Sequence, residues 1–158
     1  GVEHAILDDG RRRLELGWKP RRVGAPAAPE LLDETDWPKL HGRVRCEAGE
    51  WEFCDSSLSD REIFLFARFL EARPWPSGAR FVSMDRCIAA SANGPAGRHL
   101  ALAIEFRGEV SSPWLWGDAD AVWQTGFTLE MTPDDAGLLR FACRIRDLLG
   151  IEPLSRGG

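Results

Sequence analysis

Three histidines (His4, His41 and His99) and four cysteines (Cys46, Cys54, Cys87 and Cys143) are the side chains of this chain best suited to nucleophilic, acid–base or soft-metal chemistry. Their spacing argues against each use in turn. No two histidines stand at i, i+4 and none lies in an H-E-x-x-H, so no zinc site is expected. The cysteines form neither a C-x-x-C pair nor a ribbon pattern, which reads as four reduced thiols of a cytoplasmic protein. Asp85 with Cys87, or His99 with a cysteine, could make a catalytic pair, but nothing local joins them, because a triad assembles in space and not along the chain. The chain has neither a nucleophile elbow nor a phosphate loop, and Pro95 removes an N–H from the glycine-bearing stretch Gly94–Gly97. The expectation is therefore no catalytic residue, no cofactor and no metal.

Acids and tryptophans carry more information. Segment 30–57 holds Glu30, Asp33, Glu34, Asp36, Glu47, Glu50, Glu52 and Asp55 against Lys39, Arg43 and Arg45. That is the whole formal charge of the protein, −5. Segment 109–123 adds Glu109, Asp118 and Asp120 with no base, and carries Trp114, Trp116 and Trp123. Acids steer a basic partner toward a surface, and desolvated aromatics anchor it there. Asp33, Glu34, Asp36, Trp114, Trp116, Asp118 and Asp120 are accordingly the candidate partner-binding residues. Trp51 and Trp123, read as strand residues, are assigned to the core; Trp114 and Trp116 stay open between core and interface.

Composition bounds the rest. The 158 residues make one domain's worth of chain, 44% hydrophobic and 28% charged. Seven Trp and eight Phe with no Tyr exceed what a core of this size usually hides. The net negative charge argues against duplex nucleic acid, whose phosphates need a basic face. Apolar runs such as Ile63 to Phe66 are short, so neither a membrane span nor a signal-peptide core is expected.

The elements that must position these residues follow from local patterns. Asp8-Asp9-Gly10 is a turn signal between His4–Leu7 and Arg12–Trp18. Residues 19–38, rich in Pro and Ala, read as an inserted loop. Val44 and Cys46, then Trp51 and Phe53, alternate as a second hairpin. Ser59 and Glu62 form a capping box before Ile63, Phe66, Ala67 and Leu70. Strands are expected at Phe81–Met84, Cys87–Ala92, His99–Arg107 and Val122–Met131, the middle two joined by a turn at Asn93–Gly97. A closing helix is expected with Thr132 as N-cap, Pro133 at N1 and Gly150 as C-cap. Residues 151–158 read as a frayed tail. The order ββββαββββα gives an α+β fold, a single domain over 1–158, with an antiparallel sheet and two amphipathic helices packed on it. The repeated strands-then-helix order hints at duplication, though the two halves share few identities.

Gly49-x-Trp51-x-Phe53-x-Asp55-x-x-Leu58-x-x-x-Glu62-Ile63 and the amphipathic helix after it resemble the WapI-family immunity proteins. So do the strand Leu100–Phe106, the Pro113-Trp114 loop, the strand Phe127–Met131 and the helix with Leu138 and Phe141, a likeness over roughly 36–150. The Pro/Ala-rich loop and the run Arg11-Arg12-Arg13 lie outside that pattern. The resemblance implies a small bacterial cytoplasmic antidote that binds and blocks a contact-dependent toxin, often a nuclease, without catalysis of its own. Asp55 and Glu62 read as structural members of the motif, at a strand end and in a helix cap.

The expected function is thus a non-enzymatic cytoplasmic protein that occludes a basic partner such as a toxin. Two alternatives stand beside it. One is a small-ligand-binding or enzymatic domain with a pocket between sheet and helices; the other is a homodimeric structural protein.

Overall fold

The first hairpin closes as its sequence dictates. Asp8 accepts from the N–H of Gly10 at 2.7 Å, and Asp9 accepts from Arg11 and Arg12 at 2.9 and 2.8 Å. The other oxygen of Asp9 accepts from the N–H of Thr132 at 2.9 Å, tying the hairpin to the second half of the chain. Burial of Asp9 opposes ionisation, but the N–H groups of Thr132, Arg11 and Arg12 and the charge of Arg12 together hold its pKa below the usual value.

The computed structural model describes residues 1–20, 28–32, 37–76, 78–93 and 101–151. Its order is β1 (Glu3–Asp8), β2 (Arg13–Trp18), β3 (Leu40–Cys46), β4 (Gly49–Asp55), α1 (Asp60–Glu71), β5 (Arg80–Val82), β6 (Ile88–Asn93), β7 (Ala101–Phe106), β8 (Phe127–Met131) and α2 (Asp135–Leu149). This is the α+β order ββββαββββα with antiparallel pairing throughout. The strands divide into two meanders, β1-β2-β3-β4 and β5-β6-β7-β8, each followed by its helix. Among the described residues no helix is long and apolar enough to cross a membrane.

The core is continuous across both halves. Leu14, Leu16 and Trp18 alternate inward on β2, Trp51 and Phe53 on β4, and Leu129 and Met131 on β8. The helices bury Ile63, Phe66, Ala67 and Leu70 from α1 and Leu138, Phe141, Ala142 and Ile145 from α2. α2 packs on α1 and on β1, and the Trp18 indole donates to the Leu148 carbonyl at 3.3 Å. Phe53 meets Phe106 across the two sheets at 5.9 Å.

Helix α1 begins at its capping box. The Glu62 N–H donates to Ser59 Oγ at 3.2 Å, and Glu62 Oε1 accepts from the Ser59 N–H at 3.1 Å. Glu62 Oε2 also accepts from the Met84 N–H at 2.6 Å, so the cap holds the β5–β6 turn as well. Ser59→Ala should cost about 0.5–2 kcal/mol of stability. Denaturant titration checks this, and an unchanged midpoint would remove the cap from the stability argument.

Three local expectations are corrected. The N-cap of α2 is Asp134 and not Thr132: its carboxylate accepts from the Gly137 N–H at 2.6 Å. Thr132 and Pro133 are held elsewhere, by Asp9 and by an Arg73 N–H that donates to the Pro133 carbonyl at 2.6 Å. The expected strand Val122–Met131 starts only at Phe127, and Ala121–Thr125 form one turn of π-helix. Ile151, expected in the frayed tail, is buried, and its N–H donates to Arg146 at 3.2 Å. Within the expected loop 19–38, Pro29–Leu31 form a 3-10 turn and Leu32 is buried. Gly150, left-handed at φ 68°, caps α2 as expected. The expected turn at Asn93–Gly97 falls largely outside the described residues, as do 152–158.

Candidate partner-binding surface

Between β7 and β8 the chain runs through short turns, at Gly108–Val110, Pro113–Leu115 and Ala121–Thr125. Turns this short bury little of their own surface, so their large side chains must find neighbours or face water. Trp114, Trp116 and Trp123 are 47%, 59% and 52% exposed, whereas Trp18, Trp51 and Trp75 are buried. The core assignment of Trp123 is therefore overturned. Asp118 Oδ1 accepts from the N–H groups of Asp120 and Ala121 at 3.0 and 3.2 Å, which starts a helical turn where alternation suggested a strand.

Two of the three rings, Trp114 and Trp123, are seated against neighbours. Trp114 stands edge-on to Trp51 at 5.3 Å and to Phe127 at 5.7 Å. Its outer ring lies over Gly49, where a Cβ would come within 3.1 Å of it. The Trp123 ring rests on Gly108, whose left-handed backbone (φ 62°) and missing Cβ leave the ring its place; a Cβ there would stand 2.6 Å from it. Trp116 and Trp123 border a cavity of about 360 Å³ with Gly108, Glu109, Ala119 and Val122. Two buried hydroxyls, of Ser111 and Ser112, find no hydrogen-bond partner among the described residues at the base of this loop.

The loop is mainly acidic; its one base before Gly126, Arg107, is paired with Glu105 at 3.5 Å. Among the described residues, arginines form ion pairs with Glu3, Asp8, Glu15, Glu47, Glu50, Glu52, Glu71, Glu105, Asp135 and Asp147. None of these pairs includes Asp55, Asp85, Glu109, Asp118 or Asp120. Glu109 lies beside Asp55. Repulsion from Asp55, then burial, a shared hydrogen bond with Asp55 and the charge of Asp85 all push its pKa up. Asp55 also accepts from Ser57 Oγ at 2.8 Å.

Of the expected partner-binding residues, Trp114, Trp116, Asp118 and Asp120 share this exposed loop. Asp118 has a structural task there as well, as the cap of the turn. Asp33, Glu34 and Asp36 lie outside the described residues. Trp123 and Glu109 were missed as site members. The signal for Glu109 was its place in a base-free segment; Trp123 was lost to the strand reading.

The fold also brings together groups that the sequence leaves apart. Register sets His4 opposite Gly17, Gly17 opposite His41, and His41 opposite Cys54. Cys54 Sγ stands 3.7 Å from His41 Nε2. A cavity of about 420 Å³ over that sheet face is lined by both, with His4, Glu15 and Glu52. It lies on the strands alone, not between sheet and helices. Among the described residues no carboxylate is hydrogen-bonded to the His41 ring, and no His/Cys/Asp/Glu group has a metal-binding arrangement. Asp85 and Cys87 do meet, since Asp85 accepts from the Cys87 N–H at 3.0 Å. Burial, followed by the charge and hydrogen bond of Asp85, pushes the Cys87 thiol up to about 12. The neighbouring carboxylate thus suppresses the thiolate that a nucleophile needs.

No family model, no curated protein and no solved structure matches this chain.

Proposed function

We propose that this protein is a binding protein that occludes a basic protein partner through the face carrying Trp114, Trp116, Trp123, Glu109, Asp118 and Asp120. A toxin, as for the immunity proteins that the chain resembles, is the partner class, and a cytoplasmic location goes with that reading. The observation that carries it is the coincidence, on one loop, of three half-exposed Trp rings with acids that have no arginine partner among the described residues. Exposed indole surface costs free energy in the unbound protein, and a packed partner recovers it. Trp114 and Trp123, already seated, lose little freedom on docking, which favours slow dissociation. Clustered negative charge raises the encounter rate with a basic surface and is screened over about 8–10 Å at ordinary salt.

Binding kinetics on a partner co-purified from the source cell test the proposal. Asp118→Asn with Asp120→Asn should lower the association rate and flatten its salt dependence. Asn keeps an acceptor for the Asp118 turn, so the change is mainly one of charge. Trp116→Ala should speed dissociation and cost about 2 kcal/mol or more of binding free energy. If neither rate constant moves, this surface is not the interface.

A further inference from the structure

We propose that the cavity between Trp116 and Trp123 is an anchor pocket for one arginine side chain. The partner reading above supplies the arginine; the pocket itself rests on its own walls.

Size comes first. About 360 Å³ lies near the bottom of the roughly 300–1,000 Å³ range of small-molecule sites, so the fit is to a side chain and not to a large cofactor. Shape comes second. Two indoles border the space, and Trp123 is fixed against Gly108, so a flat group can stack without first ordering the ring. Charge decides between flat occupants. Glu109 lines the space, and its carboxylate is close to those of Asp55 and Asp85. None of the three is ion-paired with an arginine among the described residues. An apolar or aromatic occupant would strip water from Glu109 and return no hydrogen bond, which is unfavourable. A guanidinium gives both halves of what the walls offer. Its plane stacks on an indole face, and its N–H fork bonds a carboxylate. It also relieves the repulsion between Glu109 and Asp55 by placing a positive charge beside them.

The probe is N-acetylarginine amide, compared with N-acetylcitrulline amide, a near-isosteric neutral analogue. The readouts are Trp fluorescence and the indole N–H signals of the whole protein. Arginine amide should give a saturable change at the Trp116 and Trp123 signals, while citrulline amide leaves them in place. Glu109→Gln should weaken the arginine response about tenfold or more, and Trp123→Ala should abolish it. Both changed side chains are exposed, so both variants should fold. Equal responses to arginine and citrulline, or an unchanged response in Glu109→Gln, overturn the pocket. Failure of the pocket is distinguishable from failure of the partner reading. Partner binding that survives loss of arginine binding overturns the pocket and leaves the reading. Saturable arginine binding in a protein that captures no basic partner supports the pocket and overturns the reading.

Discussion

Glu71→Ala should destabilise the fold by about 3–5 kcal/mol, the usual result of removing one member of a buried ion pair. Arg146 on α2 grips Glu71 on α1 with two bonds, Nε to Oε2 at 2.6 Å and Nη2 to Oε1 at 2.8 Å. Both side chains are nearly buried, at 8% and 5% exposure. The guanidinium also lies 5.1 Å from the Phe64 ring centroid, so packing and charge act at one point between the helices. Removing the carboxylate leaves a buried cation stripped of this acceptor and opens space where the helices touch. The double change Glu71→Leu/Arg146→Met should recover most of the loss, because apolar groups of similar volume meet no desolvation cost. Denaturant unfolding of wild type, Glu71→Leu, Arg146→Met and the double variant forms the cycle, with Glu71→Ala measured beside it. A loss under about 1 kcal/mol in Glu71→Ala would show that solvent reaches the pair and weakens it.

Trp51→Ala should cost a similar amount, about 3–5 kcal/mol, through lost burial and the cavity left behind. Its indole packs edge-on to Phe127 at 5.0 Å, Trp114 at 5.3 Å and Phe106 at 5.7 Å. Its Nε1–H donates to the Val110 carbonyl at 3.1 Å. One side chain on β4 therefore joins the first sheet to β7 and β8, and to the loop that presents the exposed rings. The variant should lose stability and also the fixed pose of Trp114. Trp51→Phe should fall between, keeping a ring but leaving the buried Val110 carbonyl without its donor. Unfolding curves give the energies, and near-ultraviolet circular dichroism reports the ordering of the remaining Trp rings. Stability unchanged in Trp51→Ala would show that the two sheets are held by other contacts.

The exposed face was legible in part. Trp114, Trp116, Asp118 and Asp120 could be singled out because acids without bases beside Trp are visible in composition alone. Trp123 could not. Val122 to Met131 alternates as a strand does, but the Asp118 carboxylate bonds to two following N–H groups, with the Val122 N–H on the Asp118 carbonyl and the Gly126 N–H on the Ala121 carbonyl, make its first half a turn. The cap of α2 was misplaced for a similar reason. Thr132 and Asp134 are both competent caps in sequence; in the fold the Thr132 N–H is tied to Asp9, 123 positions away, and it is the Asp134 carboxylate that takes the Gly137 N–H.

By itself the sequence determined the order of strands and helices, the first hairpin turn and the Ser59–Glu62 cap. Each of these is decided within about four residues, by turn carboxylates, capping hydroxyls and the period of apolar side chains. The tertiary structure alone decided which strands share a sheet, which rings stay in water, and which distant groups meet. The division into two meanders, the His41–Cys54 contact and the Glu71–Arg146 pair depend on burial and register between segments far apart in the chain. Local periodicity states that a residue can be buried, but which neighbour covers it is settled by long-range packing, where apolar area and satisfied hydrogen bonds outweigh local preference.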